Sequence, residues 1–265
     1  MASDRIRLVT FNILGCRGFP LITGGPVVFP EVSPTLVTAL AQRLTAWQAD
    51  VVILQEAPPE AWVRSLAQQA GLTAAYFPAQ AASGREWPFG FPGAVLSRHP
   101  LSAIEDRATV LRAPHDERFQ RHWGSAEVGI GKQVLRVTGM HLCADWGGVN
   151  REATRMAELA ALLEAPATDV IGADCNTRPG EAPWLRLREA GWRDGWIEGG
   201  GAGNGWSSDA RQPMQRIDYL WLSPTSPWQA RSAHLLGDLE VTVDDQRMLL
   251  SDHLPVLLEL EHVAH

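Results

Sequence analysis

Six stretches of the chain put acids, amides and imidazoles directly beside strand-like apolar runs. Asn12 follows residues 8–11, Glu56 follows residues 51–55, and His141 follows residues 134–140. Asp174 and Asn176 follow residues 169–173, Asp218 lies inside residues 216–221, and Asp252-His253 precede residues 255–260. A carboxylate that can hold a cation, next to an imidazole that titrates near neutrality, is the minimum for metal-assisted hydrolysis. Strand ends suit this chemistry because a rigid sheet delivers their side chains into one cleft. Taken singly, each Asn or Asp is equally a turn former. Glu56 before Ala57-Pro58-Pro59 is equally a surface acid flanking a helix, and His141 equally a core histidine. Asp218 is harder to dismiss, since an acid within an apolar strand is costly to bury unless paired. His253 is the available partner. Cys175, between Asp174 and Asn176, is expected to point into the core as a small apolar residue.

The elements that must hold these residues follow from the apolar pattern. Residues 5–11 read as a strand ending at Asn12, and the Gly- and Pro-rich residues 15–32 as a loop. Ser33-Pro34 is a helix start, cap then first-turn proline, with Leu36, Leu40, Leu44 and Trp47 on one face. Residues 50–54 form a short apolar strand ending at Gln55-Glu56, and Pro58-Pro59 open a second helix reaching residue 69. Residue 94 begins a series of strands running to residue 141. Asn150 reads as the cap of a helix whose Met156, Leu159, Ala160 and Leu163 fall at helical spacing. Residues 169–172 give a strand ending at Ala173-Asp174, and residues 183–190 a helix. A Gly-rich loop (199–205), strands at 217–222 and near 228–235, and a last strand at 255–260 complete the chain. Consecutive strands in 94–141 and 217–260 point to antiparallel sheets with helices outside.

Composition bounds the reading. A single domain over residues 1–265 is expected, since large sandwiches reach this length. No apolar stretch approaches the 18 or so residues of a membrane span. The N-terminus enters a strand pattern at once and lacks the apolar core of a signal peptide. Three scattered cysteines, Cys16, Cys143 and Cys175, match no zinc pattern or disulfide framework. A cytoplasmic monomer is therefore expected. The net charge of −7 argues against a strong sequence-independent grip on phosphate backbones. All basic residues except Lys132 are arginines, which suit bidentate phosphate contacts inside a cleft.

In order and surroundings these stretches are specific. Thr10-Phe11-Asn12, Leu54-Gln55-Glu56, residues 93–98, Gly139-Met140-His141-Leu142, residues 172–176, Arg216-Ile217-Asp218-Tyr219 and residues 251–256 resemble, in that order, the motifs of the endonuclease/exonuclease/phosphatase superfamily. The resemblance spans residues 5–260. It implies an α+β fold, a four-layer α/β/β/α sandwich of two mainly antiparallel sheets with helices outside. It also implies phosphoester hydrolysis with Mg²⁺, or Mn²⁺ in its place. Carried over by motif, Glu56 is the principal metal ligand, with Asn12 and Asp252 beside the metal. Asp174 orients or deprotonates the attacking water, and Asn176 contacts the phosphate. Asp218 holds His253 on the scissile phosphate, and His141 is a second phosphate contact or the acid for the leaving group.

Leu14 stands where abasic-site endonucleases carry an aspartate, and His141 where they carry a tyrosine. Both differences favour the branch of deoxyribonuclease I and the sphingomyelinases. That nuclease orients its histidine with a glutamate before the strand at Ala94. Here Glu86 and Asp145 are the candidates. The implied partner is a phosphodiester: nucleic acid, nucleotide or lipid head group. A phosphomonoesterase for sugar or inositol phosphates, and a non-catalytic scaffold, are the rivals. Trp87, Trp123, Trp146 and Trp206 are expected in loops near the motifs, where they would stack on bases or cover a head group. Arg98, Arg118 and Arg211 are candidate phosphate contacts.

Overall fold

The computed structural model describes residues 5–22, 28–80, 90–112, 117–145 and 148–263. Elements are numbered in chain order. One six-stranded sheet runs β12 (Trp228–Leu235), β15 (Val256–His262), β1 (Arg5–Asn12), β3 (Val51–Gln55), β5 (Gly93–Ser97) and β4 (Thr73–Phe77) from edge to edge. The other runs β10 (Arg193–Asp194), β11 (Asp218–Leu222), β9 (Val170–Asp174), β8 (Gln133–His141), β7 (Trp123–Ile130) and β6 (Leu101–Asp106). Each sheet has one parallel pair, β1 with β3 and β8 with β9, and every other pairing is antiparallel.

The parallel strands are also where the sequence pattern is clearest. All five residues of β3 and all five of β9 are buried, because both faces of their sheets are covered. Leu8, Ile53, Val95, Val137, Val170, Leu220 and Leu258 lie in the core cluster that the two sheets share. On the outer face of the first sheet, α1 (Pro34–Ala46) and α2 (Glu60–Ala70) bury Leu36, Leu40, Leu44, Val63 and Leu66 against Val9, Phe11, Val52 and Leu54. On the outer face of the second, α4 (Glu152–Glu164) and α5 (Ala182–Glu189) bury Leu159, Leu162 and Leu187 against Met140, Ile171, Cys175 and Trp221. The order is therefore α/β/β/α, as the resemblance implies. Each such aliphatic side chain contributes about 1.5–3 kcal/mol when buried.

Ser33 caps α1 by accepting from Leu36 N, as Ser33-Pro34 predicts. Other details differ. Residues 15–32 are not all loop. A 3-10 turn, Leu14–Cys16, leads into β2 (Phe19–Pro20), which joins a small sheet with β13 (Glu240–Val243) and β14 (Gln246–Leu249). Short helices α3 (Arg107–Leu111) and α6 (Gly195–Glu198) extend two turns that the pattern leaves open. Trp123 is not in a loop: it starts β7 and is buried against Phe119, their ring centroids 5.5 Å apart. On α4 the buried face is Arg155, Glu158, Leu159 and Leu162, while Ala160 is exposed and Met156 and Leu163 only half-buried. Arg151 stands at its N-cap position, and Asn150 Oδ1 accepts Glu152 N at 2.7 Å.

The sheets approach closely at the Gly124 position. A Cβ there would lie 2.0 Å from Phe77 Cδ1 and 2.1 Å from its Cγ, atoms close to the backbone that cannot swing away. Gly124→Ala is expected to cost about 1–3 kcal/mol in urea unfolding through overpacking. Phe77→Ala removes those atoms, so it should cost less in the Gly124→Ala background than in wild type. An unchanged midpoint for the single variant would show that the sheets have slack there.

Candidate active site

Strands β1, β3, β8, β9 and β11 bring their motif residues to one edge of the sandwich. Register explains the meeting. Asn12 lies opposite Gln55, His141 opposite Asp174, and Asp218 opposite Asp174. A one-residue slip of any pair would turn its polar side chain to the other face. Residues 251–253 close the ring from the far side. Ser251 Oγ donates to Asn12 O at 2.6 Å, and a single bridge joins Ser208 to His253.

Asp174 sits at the centre and is buried. Its Oδ2 accepts from Asn12 Nδ2 at 3.0 Å and lies 3.2 Å from His141 Nε2 and 3.9 Å from His253 Nε2. Its Oδ1 accepts Asn176 N at 3.0 Å. Burial opposes the charge on Asp174, but His141, His253 and Arg121 override it and hold the carboxyl below its ordinary range. His253 is clamped from the other side, with Nδ1 2.8 Å from Asp218 Oδ2. Burial works against the His253 imidazolium, yet Asp218, Asp252 and Asp174 together raise it well above the ordinary imidazole value. At neutral pH it is therefore a cation with Nε2–H aimed toward Asp174. Asp218, the acid inside an apolar strand, has its expected partner.

Two residues that the sequence pattern does not single out complete this arrangement. Ser207 Oγ donates to Asp218 Oδ2 at 2.6 Å and accepts Asp218 N at 3.3 Å, so it ties the carboxylate to its own backbone. The Arg121 guanidinium lies against the His141 ring, 3.2 Å from Nδ1, and stacks 4.3 Å above the Phe91 ring. Burial first and Arg121 second push His141 down to about 4, so it is neutral at pH 7. The same Arg121 Nη1 lies closer still to Nε2, the ring nitrogen that faces Asp174 Oδ2 at 3.2 Å. Of the two acids expected to orient His141, only Asp145 is among the described residues. Asp145 instead accepts from Arg155 Nη1 and Arg151 N, both at 2.7 Å. Glu86, Trp87 and Trp146 fall outside the described residues.

Glu56 follows β3 with φ +48°, and its backbone O accepts Gly15 N at 2.7 Å. Burial and then Asp252 push its carboxyl up to about 7. Two carboxylates are thus held together at a cost that a cation would remove. The donors are hard oxygens, the type that suits Mg²⁺. Asn12, expected beside the metal, lies next to Glu56 and Asp174. Its amide oxygen accepts Leu14 N at 3.2 Å, and its NH₂ sits between Glu56 Oε1 at 3.2 Å and Asp174 Oδ2 at 3.0 Å. In this arrangement its NH₂ bridges the two acids and holds them in place. Asp174, Asp218 and His253 also each bring a ligand atom within 4.8 Å of the others. His253 Nδ1 in that trio is already engaged by Asp218 Oδ2, which leaves Nε2 as the ring nitrogen open to a cation.

The remaining candidates divide. Asn176 lies beside Asp174, but its Nδ2 donates to Leu142 O at 3.0 Å. Arg98 is at the opposite end of the first sheet, paired with Asp50. Arg211 is drawn to Asp209 and donates to Ile22 O at 2.8 Å, on the rim of the cleft. Arg118 lies in the segment that carries Arg121. Trp206, with 42% of its surface exposed, is the one expected tryptophan that the described residues leave open to a ligand.

The sequence profile of the Endonuclease/Exonuclease/phosphatase family matches residues 9–253. Among solved structures, the chain is similar to an endonuclease/exonuclease/phosphatase from Beutenbergia cavernae. The identity is 19%, 98% of this chain and 72% of that chain are covered, and the TM-score is 0.71. A family protein from Bacteroides thetaiotaomicron shares 13% identity over 100% of both chains with a TM-score of 0.73. TDP2 from D. rerio, complexed with a single strand DNA product, shares 19% identity over 97% of this chain and 98% of that chain, with a TM-score of 0.66. At these identities the structural likeness is one of fold. No curated protein matches the chain.

Proposed function

Because the chain belongs to the endonuclease/exonuclease/phosphatase family, a family of hydrolytic nucleases and phosphatases, we propose that it is a divalent-metal-dependent phosphodiesterase. The observation that carries the reading is Asp174, charged and buried, with His253 held on one side by Asp218 and the neutral His141 on the other.

In this mechanism Asp174 orients a water against phosphorus and takes its proton as the P–O bond forms. A positioned base of this kind contributes about 10²–10⁴-fold. The His253 imidazolium donates Nε2–H to a non-bridging phosphate oxygen, and Asp218 with Ser207 keeps its ring turned that way. Arg121 adds a planar cation across the cleft, suited to two oxygens of one phosphate. His141, neutral, donates a hydrogen bond and is not a second cation. Glu56 and Asp252 would hold Mg²⁺ or Mn²⁺, with Asn12 bracing Glu56. When bound, the metal supplies charge neutralisation at the phosphoryl oxygens. The oxygen leaving phosphorus departs with a proton from solvent.

For substrate, the net charge of −7 favours a small phosphodiester over a long duplex. The single strand DNA product bound by D. rerio TDP2 keeps short single strands in view as the second class.

Purified protein should be assayed with Mg²⁺ and with Mn²⁺ on bis(p-nitrophenyl) phosphate, p-nitrophenyl phosphate, single-stranded DNA and a phospholipid analogue. The bis ester is expected to turn over at least about tenfold faster than the monoester, a barrier difference of about 1.4 kcal/mol. Chelator should abolish the activity, and His253→Ala serves as the blank. Faster monoester cleavage would make the protein a phosphomonoesterase. Activity that survives both chelator and His253→Ala would sink the site assignment.

A further inference from the structure

We propose that Glu158 on α4 is a positioning residue that fixes the Arg121–His141 pair at the cleft. The inference rests on the phosphodiesterase reading of this site. Glu158 is 2% exposed, and it lies on a helix face where an apolar side chain would pack at lower cost. Its two oxygens are both used, and both by backbone. Oε1 accepts Phe119 N at 2.9 Å, and Oε2 accepts Cys143 N at 2.9 Å.

Those two amides are not arbitrary. Phe119 lies two residues before Arg121, and Cys143 lies two residues after His141. One carboxylate thus ties together the segment that enters β7 and the segment that leaves β8, at the point where their side chains meet. Arg155, one helical turn earlier and 3% exposed, reinforces the second segment by donating to Cys143 O at 3.1 Å and Asp145 Oδ1 at 2.7 Å. Burial pushes the Glu158 carboxyl up to about 7, against the amides that favour its charge. The helix therefore carries a costly group in place of a leucine. A glutamine could not take its place, because it has one acceptor for two N–H groups. A guanidinium displaced by 1 Å from its phosphate costs far more in rate than in stability.

Glu158→Gln should be assayed on bis(p-nitrophenyl) phosphate with Mg²⁺, alongside ¹⁵N spectra of the His141 ring. The expected result is a fall in kcat of about 20-fold or more, with the Mg²⁺ half-saturation unchanged. The same substitution in an Arg121→Ala background should cost less than about threefold, because the residue it positions is gone. The His141 ring nitrogens should shift in the single variant as Arg121 leaves the ring. A full multiplicative loss in the Arg121→Ala background, or wild-type kcat with unmoved ring resonances, overturns the proposal. Should Glu158→Gln fail to fold, Arg155→Met carries the test, with a fall in kcat of about fivefold and the same ring shift expected; neither effect overturns it. If the wild-type protein cleaves no phosphoester, the phosphodiesterase reading fails on its own. The ring resonances of Glu158→Gln then decide the positioning claim alone.

Discussion

Asp174→Asn is expected to lower kcat on bis(p-nitrophenyl) phosphate by about 10³–10⁴-fold while the protein stays folded. The carboxylate oxygen Oδ2 lies 3.0 Å from Asn12 Nδ2 and 3.2 Å from His141 Nε2, with His253 Nε2 farther off at 3.9 Å. Asparagine can offer an oxygen to some of them, but it has no basic site for the proton of the attacking water. Size and shape are preserved, so the expected loss is chemical and not a collapse of the cleft. The variant also removes one of three negative charges that hold His253 protonated, though Asp218, at 2.8 Å, remains. His253 therefore stays a cation, and substrate binding should weaken far less than turnover. The measurement is kcat and KM together with Tm. More than about a tenth of wild-type kcat in a folded variant would remove Asp174 from the role of base. A loss confined to KM would reassign it to binding.

The strand ends that carry Asn12, Glu56, His141, Asp174 and Asp218 were legible because β3 and β9 are covered on both faces and read as unbroken apolar runs. A polar residue at the end of such a run has few places to go but the sheet edge. The Asp218–His253 pairing was legible for a related reason, since a buried acid demands a partner. What stayed hidden depends on contacts far apart in sequence. Ser207 follows the Gly-rich loop, and no local pattern marks a hydroxyl that will find a carboxylate eleven residues on. Arg121 lies in a segment with no periodicity, and its role emerges only when β7 pairs with β8 and His141 N donates to His122 O. Trp123 looks like loop because Arg121-His122 and Gly124-Ser125 flank it, yet the pairing of β7 starts at Trp123 itself. On α4 the apolar spacing misled because Arg155 and Glu158 face inward to serve backbone groups, and periodicity counts only apolar residues. The amide of Asn12 could not be oriented from residue type alone. Leu14 N on one side and two carboxylates on the other decide it.

Glu56→Gln should separate the metal from the rest of the site, because it is expected to trade activity for stability. In the metal-free protein, burial and Asp252 raise the Glu56 carboxyl from its ordinary value of 4.5 to about 7. A raised carboxyl contributes stability below its unfolded value that is lost as pH climbs through the folded one. Metal-free wild type should therefore lose stability between pH 4.5 and about 7, of the order of 1–3 kcal/mol from this group. Glutamine does not titrate and keeps a hydrogen-bonding group beside Asn12. Relative to wild type, the Tm of the variant should accordingly rise as pH goes from 5 to 8 in chelator. Added Mg²⁺ should reverse the order. It stabilises wild type by binding only the folded state, an effect of about 2.7 kcal/mol at a hundredfold excess over Kd. The variant, with Asp252 as its remaining acidic ligand, should gain little. Turnover of bis(p-nitrophenyl) phosphate at millimolar Mg²⁺ should fall by at least about 10³-fold, as expected when transition-state charge stabilisation is removed. A Mg²⁺-dependent rise in Tm that survives Glu56→Gln intact would move the metal away from Glu56. Asp174, Asp218 and His253 would then become the site to test.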